Sequence, residues 1–134
     1  MRLSTHLVFA GQCEAALRFY AQAFGGTLGP ILAYGDTPAS ADVPAEWRDK
    51  IVHGSVRIGA MHVCGADVRP EEYEKPQGFY LLHSVADEAE ARRIFALLSE
   101  GGDVRMPLQK TFWSPAFGVV IDRFGVPWEV SCEG

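Results

Sequence analysis

Two stretches of this chain carry the same helical pattern, and that repeat constrains the fold more than any other feature. Within Glu14–Phe24, Ala16, Phe19, Tyr20 and Ala23 recur at i, i+3, i+4 and i+7, which is one apolar face of a helix. Ala91, Ile94, Phe95 and Leu98 repeat that face at an offset of 75 residues. Each pattern stops at a double glycine, Gly25-Gly26 and then Gly101-Gly102, at an offset of 76. Glycine supplies the positive φ with which many helices end. A slip of one residue at a helix end is what a diverged duplication tolerates.

Strand-like runs flank both helices in the same order. Leu3–Ala10, Leu28–Ala33, Lys50–Ile58 and Met61–Gly65 accompany the first helix, the last two joined by a hairpin at Gly59-Ala60. Phe79–Val85, Val104–Leu108, Phe117–Ile121 and Val126–Cys132 accompany the second. Asp87 and Glu90 have the spacing of a capping box and predict a helix start. Asp122–Gly125 reads as a four-residue turn. The order is βαβββ twice, an α+β domain over 1–134, with module one at 1–65, a linker at 66–77 and module two at 78–134. The linker holds Pro70 and Pro76 with Asp67, Glu71, Glu72 and Glu74, so it is expected to be exposed and irregular. Tyr34–Asp49, rich in Pro, Ala and Asp, reads as a mobile excursion.

Composition narrows the function classes. The 134 residues suffice for a real core, and 48% hydrophobic with 22% charged residues is ordinary globular composition. A net charge of -5, with Lys and Arg scattered, argues against nucleic acid as a partner. No apolar run approaches the roughly 20 residues of a membrane span. The opening MRLSTHLVFAG reads as a strand rather than a signal peptide. Cys13, Cys64 and Cys132 are odd in number, far apart and in no C-x-x-C pair, as expected of reduced thiols in a cytoplasmic protein. No G-x-S-x-G, P-loop or G-x-G-x-x-G occurs.

Several segments resemble a known family. F-A-G-Q-C-E-A-A-L-R-F-Y-A-Q-A-F-G-G at 9–26 resembles the first helix of the vicinal oxygen chelate superfamily, which includes glyoxalase I, bleomycin-resistance proteins and extradiol dioxygenases. H-G-S-V-R-I-G at 53–59, Y-E-K-P-Q-G-F at 73–79, P-L-Q-K-T-F-W at 107–113 and F-G-V-V-I-D-R-F-G-V-P-W at 117–128 resemble its PhnB-like branch. The resemblance spans about Leu3 to Cys132. It implies paired βαβββ modules, each a curved half-barrel, and a homodimer. That branch carries a demethylubiquinone methyltransferase label, but nothing here resembles a methyl-donor site. In metal-dependent members a divalent ion (Zn²⁺, Ni²⁺, Mn²⁺ or Fe²⁺) binds His, Glu or Gln from the first and last strands of each module. It acts there as a Lewis acid on a substrate with adjacent oxygens.

Carried onto this sequence, that pattern is incomplete. D-R-F-G-V-P-W-E puts Glu129 at the last-strand ligand position. Counted back from the first helix, the first-strand position falls on Thr5, with His6 one residue off and so on the other sheet face. The matching place in module two falls on Tyr80, a poor metal ligand because a phenol ionises near a pKa of about 10. His62 and Cys64 alternate onto one face, and His53 opens the third strand. Metal candidates are therefore Glu129, His6 and His62. Thr5, His53, Cys64, Tyr80, Trp113 and Glu129 are the pocket candidates, with Phe112 and Tyr34 as further aromatics suited to a flat or apolar ligand. The leading expectation is a small-molecule binding protein with its pocket between the modules. A metal-dependent lyase, isomerase or dioxygenase and a ligand-free structural homodimer are the alternatives.

Overall fold

The computed structural model describes all residues, Met1–Gly134. They form two compact units, Met1–Tyr73 and Glu74–Gly134.

In the first unit, β1 (Thr5–Phe9), α1 (Cys13–Phe24), β2 (Thr27–Ala33), β3 (Ile51–Ile58) and β4 (Met61–Asp67) build a four-stranded sheet in the order β1-β4-β3-β2. β1 runs parallel to β4, and the other pairs are antiparallel. Cys13, Ala16, Leu17, Tyr20 and Ala23 are the buried face of α1, while Phe19 of the expected stripe is half-buried. That face packs on β2, β3 and β4, and Leu7, Phe9, Val56 and Val63 of the sheet are all at most 7% exposed. Gly54 and Gly65 let the helix approach: a Cβ on Gly54 would stand 2.8 Å from Leu17 Cδ1, and one on Gly65 3.1 Å from Cys13 Sγ. The Tyr34–Asp49 excursion is three short 3-10 segments, at Tyr34–Asp36, Pro38–Asp42 and Ala45–Trp47. It is tied back by Tyr34 N–H to Lys50 O and Gly35 N–H to Arg48 O.

The second unit repeats the plan. β5 (Leu81–Val85), α2 (Glu88–Ser99), β6 (Asp103–Gln109), β7 (Phe117–Ile121) and β8 (Pro127–Cys132) give the order β5-β8-β7-β6, with β5 parallel to β8. Ala91, Ile94, Phe95 and Leu98 are the buried face of α2, as their spacing predicts. The second glycine of each pair has the same task in both units. A Cβ on Gly26 would stand 2.5 Å from Arg57 O, and one on Gly102 2.5 Å from Ile121 O.

The two helices start by different means. In α2 the Asp87 carboxylate accepts from Glu90 N–H at 2.8 Å, the cap that the D-x-x-E spacing predicts. In α1 the Gln12 side chain makes no cap bond. Its place is taken by Asp67, from the end of β4. Asp67 is 1% exposed and accepts from Gly11 N–H and Cys13 N–H on Oδ1 and from Ile51 N–H on Oδ2, all within 3.0 Å. Asp67 is therefore not part of an exposed linker: β4 extends through it, and three segments converge on its carboxylate. Irregular chain begins only at Val68.

Candidate functional site

Each sheet buries one face under its helix and leaves the other open. Strand alternation decides which side chains reach the open face. In the first sheet, Leu7 and Phe9 lie on the helix side, so Thr5 shares that side and His6 and Val8 point away. His6 pairs with Cys64 across β1 and β4, and Cys64 pairs with Ser55 across β4 and β3. His53 and His62 follow the same alternation onto the open face, where the His6 and His53 rings stand 6.4 Å apart. His6, Cys64, His53 and His62 thus share one surface. Thr5 does not.

In the second sheet Gly118 lies against Phe95 of α2, which marks the helix side. Glu129 pairs with Leu82 of β5 on one flank and Val119 of β7 on the other, so all three lie on the open face. Tyr80 precedes β5 and is 48% exposed. Trp113 packs edge-to-face on Phe117, with ring centroids 5.2 Å apart, and Phe112 packs on Trp113 at 4.7 Å. Phe117 pairs with Ser131, two residues along β8 from Glu129, so the Trp113 pair sits at that end of the Glu129 face.

Hydrogen bonds identify equivalent positions in the two modules. Val68 N–H donates to Phe9 O, and Glu133 N–H donates to Val85 O. Phe9 and Val85 are therefore equivalent, with an offset of 76 in the first strands, and their partners Asp67 and Cys132 are equivalent too. Stepping back along the pairing, His6 corresponds to Leu82 and Cys64 to Glu129. Counting back from the helices starts at Thr5 and imports their offset of 75, so it lands on Tyr80, two residues before Leu82. The double-glycine offset of 76 is the sequence signal that points to Leu82.

That register decides how well the residues suit a divalent metal. The four equivalent open-face positions hold an imidazole, a thiol, an isobutyl group and a carboxylate. Leu82 offers no donor, so the four positions keep at most three, His6, Cys64 and Glu129. No group of three or more His, Cys, Asp or Glu side chains is arranged to hold a metal ion. The residues present do not fit the metal set that the superfamily's metal-dependent members use.

The remaining titratable groups near the core are structural. Burial, with Asp67 and then Glu14 adding to it, pushes the Cys13 thiol up to about 12, so it stays protonated. Burial first, then Asp67, raises the Tyr34 phenol, whose O–H donates to Asp67 O at 2.8 Å. Tyr34 is thus a neutral donor that holds the excursion to β4.

Two four-stranded βαβββ sheets, each with a helix on one face, agree with the comparisons. The model of the glyoxalase/bleomycin resistance protein/dioxygenase superfamily matches residues 2–130. The chain belongs to that superfamily. Protein YjdN of Escherichia coli is 34% identical over 139 residues, covering 98% of this chain and 95% of YjdN. Protein PA1353 of Pseudomonas aeruginosa is 42% identical in its crystal structure, with a TM-score of 0.90, covering 99% of this chain and 98% of that one. A PhnB protein of Bacillus cereus shares the fold with a TM-score of 0.85 at 21% identity, over 98% of this chain and 99% of its own. No helix is long and apolar enough to cross a membrane.

Proposed function

We propose that this superfamily member binds a small organic molecule against an open sheet face, without a catalytic metal. The observation that carries this reading is the register of Leu82. It puts an aliphatic side chain at one of the superfamily's four ligand positions, beside a Glu129 that keeps another. The faces are otherwise suited to a ligand. His6, His53 and Leu82 are exposed, Cys64 and Glu129 half-buried, and Trp113 is 52% exposed beside Phe117. Such a mixture of aromatic and aliphatic surface with a few polar groups suits small-molecule sites. On the second sheet Glu129 would accept a hydrogen bond from such a ligand.

Metal analysis of protein purified without chelator, beside Glu129→Ala, tests the reading. The expected result is no stoichiometric Zn²⁺, Ni²⁺ or Mn²⁺ in either protein, with thermal stabilisation by compounds from a small-molecule panel. A stoichiometric metal that disappears in Glu129→Ala would overturn it. So would turnover of the methylglyoxal–glutathione hemithioacetal.

A further inference from the structure

The open face of the second sheet ends in a cleft of about 250 Å³, lined chiefly by Lys75, Gln77, Phe79, Tyr80, Arg105 and Ile121. Its floor belongs to the Glu129 face: Ile121 pairs with Pro127, two residues along each strand from the Val119–Glu129 pair. Gly78, with φ 87, turns the chain ahead of the Phe79-Tyr80 pair. The two rings are 46% and 48% exposed, so each offers a large aromatic surface at the cleft.

Its charge runs against that of the protein. The chain carries -5, yet the lining holds two cations and no carboxylate. Lys75 has no carboxylate partner among the ion pairs. Arg105 is tethered by Nε to Asp103 Oδ2 at 2.7 Å. That bond offsets part of the charge, but it also orients the planar guanidinium and leaves both Nη groups for another acceptor.

We propose that this cleft takes a small planar carboxylate, its single ring against Phe79 and Tyr80 and its carboxylate on Lys75 and Arg105. The size limits the ligand. Sites for drug-sized molecules run from about 300 to 1,000 Å³, so this cleft suits one ring rather than a nucleotide. The aromatic lining separates a planar organic acid from inorganic phosphate, which would use only the cations. The inference rests on the small-molecule reading and adds the chemical class of the ligand.

The test is amide chemical-shift titration of the whole protein with benzoate, benzamide and inorganic phosphate as probes. Benzoate is expected to move the Gly78, Tyr80 and Ile121 amides and to saturate. Benzamide should bind about tenfold more weakly, the loss expected for a charge-assisted contact. Lys75→Gln and Arg105→Gln should each weaken benzoate by about tenfold while leaving the melting temperature unchanged, since both side chains are exposed. The proposal is overturned if benzoate moves none of these amides at about 10 mM, a concentration that detects even very weak binding. It is equally overturned if benzamide or phosphate binds as well as benzoate, or if neither variant weakens benzoate. A panel compound that moves the amides around Glu129 and not those of Gly78, Tyr80 and Ile121 would refute this inference and leave the small-molecule reading standing.

Discussion

Replacing Asp67 by Asn should cost far more than the exchange of one oxygen for NH₂ suggests. The carboxylate is 1% exposed and accepts three backbone N–H bonds, from Gly11 and Cys13 on one oxygen and Ile51 on the other. The better amide orientation keeps the oxygen on Gly11 and Cys13 and sets an NH₂ donor against the Ile51 N–H. One charge-assisted bond is then lost, a buried donor is orphaned, and the two remaining bonds lose their ionic character. Together these come to about 3 kcal/mol. Asp67→Ala orphans all three donors and should cost about 5 kcal/mol. A domain of this kind has about 5–15 kcal/mol in total, so either change is a large fraction. In urea unfolding followed by far-UV circular dichroism, a slope of about 1.5 kcal/mol per molar puts the Asp67→Asn midpoint about 2 M below wild type. Amide exchange should accelerate at Gly11, Cys13 and Ile51. A midpoint drop under about 0.5 M, or unchanged exchange at those amides, would show that the carboxylate is not the clamp described.

Two further outcomes follow from burial. Cys64 is half-buried, whereas Cys13 and Cys132 are 0% and 3% exposed and the Cys13 thiol is pushed up to about 12. Native protein should therefore give one kinetically accessible thiol with a disulfide reagent, and Cys64→Ser should abolish it; a native-state reaction that survives in Cys64→Ser counts against the assignment. Burial, foremost, holds the His83 imidazole below its ordinary value, with Arg93 adding to the shift and Glu90 opposing it. As pH falls below about 6.5 the unfolded chain takes this proton first, so stability present above that pH is progressively lost. The unfolding free energy measured down through that range should fall less steeply in His83→Gln than in wild type, and equal slopes would refute the attribution.

Local features were legible in the chain wherever a local interaction governs them. The Asp87–Glu90 cap lies within one turn and forms as its spacing predicts. The apolar faces of both helices, the Gly-Gly stops and the β7–β8 turn are equally local. In that turn Asp122 accepts from Phe124 N–H, Val126 N–H and the Trp128 indole. The site was less legible because it depends on strand register, in which one residue exchanges the two faces of a sheet. Counting from α1 and α2 placed the first-strand positions at Thr5 and Tyr80. Strand alternation puts the first at His6, and the hydrogen bonds to Phe9 O and Val85 O carry it to Leu82. The cleft beside Tyr80 needed Lys75 and Arg105, 30 positions apart, to meet, and no periodicity reports such a meeting.

The sequence by itself determined that this chain is two copies of one βαβββ plan, because apolar spacing and glycine stops act over a few residues. Tertiary structure decided what each copy does with its polar groups. Asp67, in a stretch of Pro and acidic residues, had every local mark of a solvated linker. Only the approach of the β1–α1 turn and the start of β3 makes it a buried acceptor for three backbone donors. Pairing with β8 likewise sets Leu82 beside Glu129 and takes one position out of the donor set. Both outcomes depend on contacts between residues dozens of positions apart, which pairing and packing create and a local pattern does not encode.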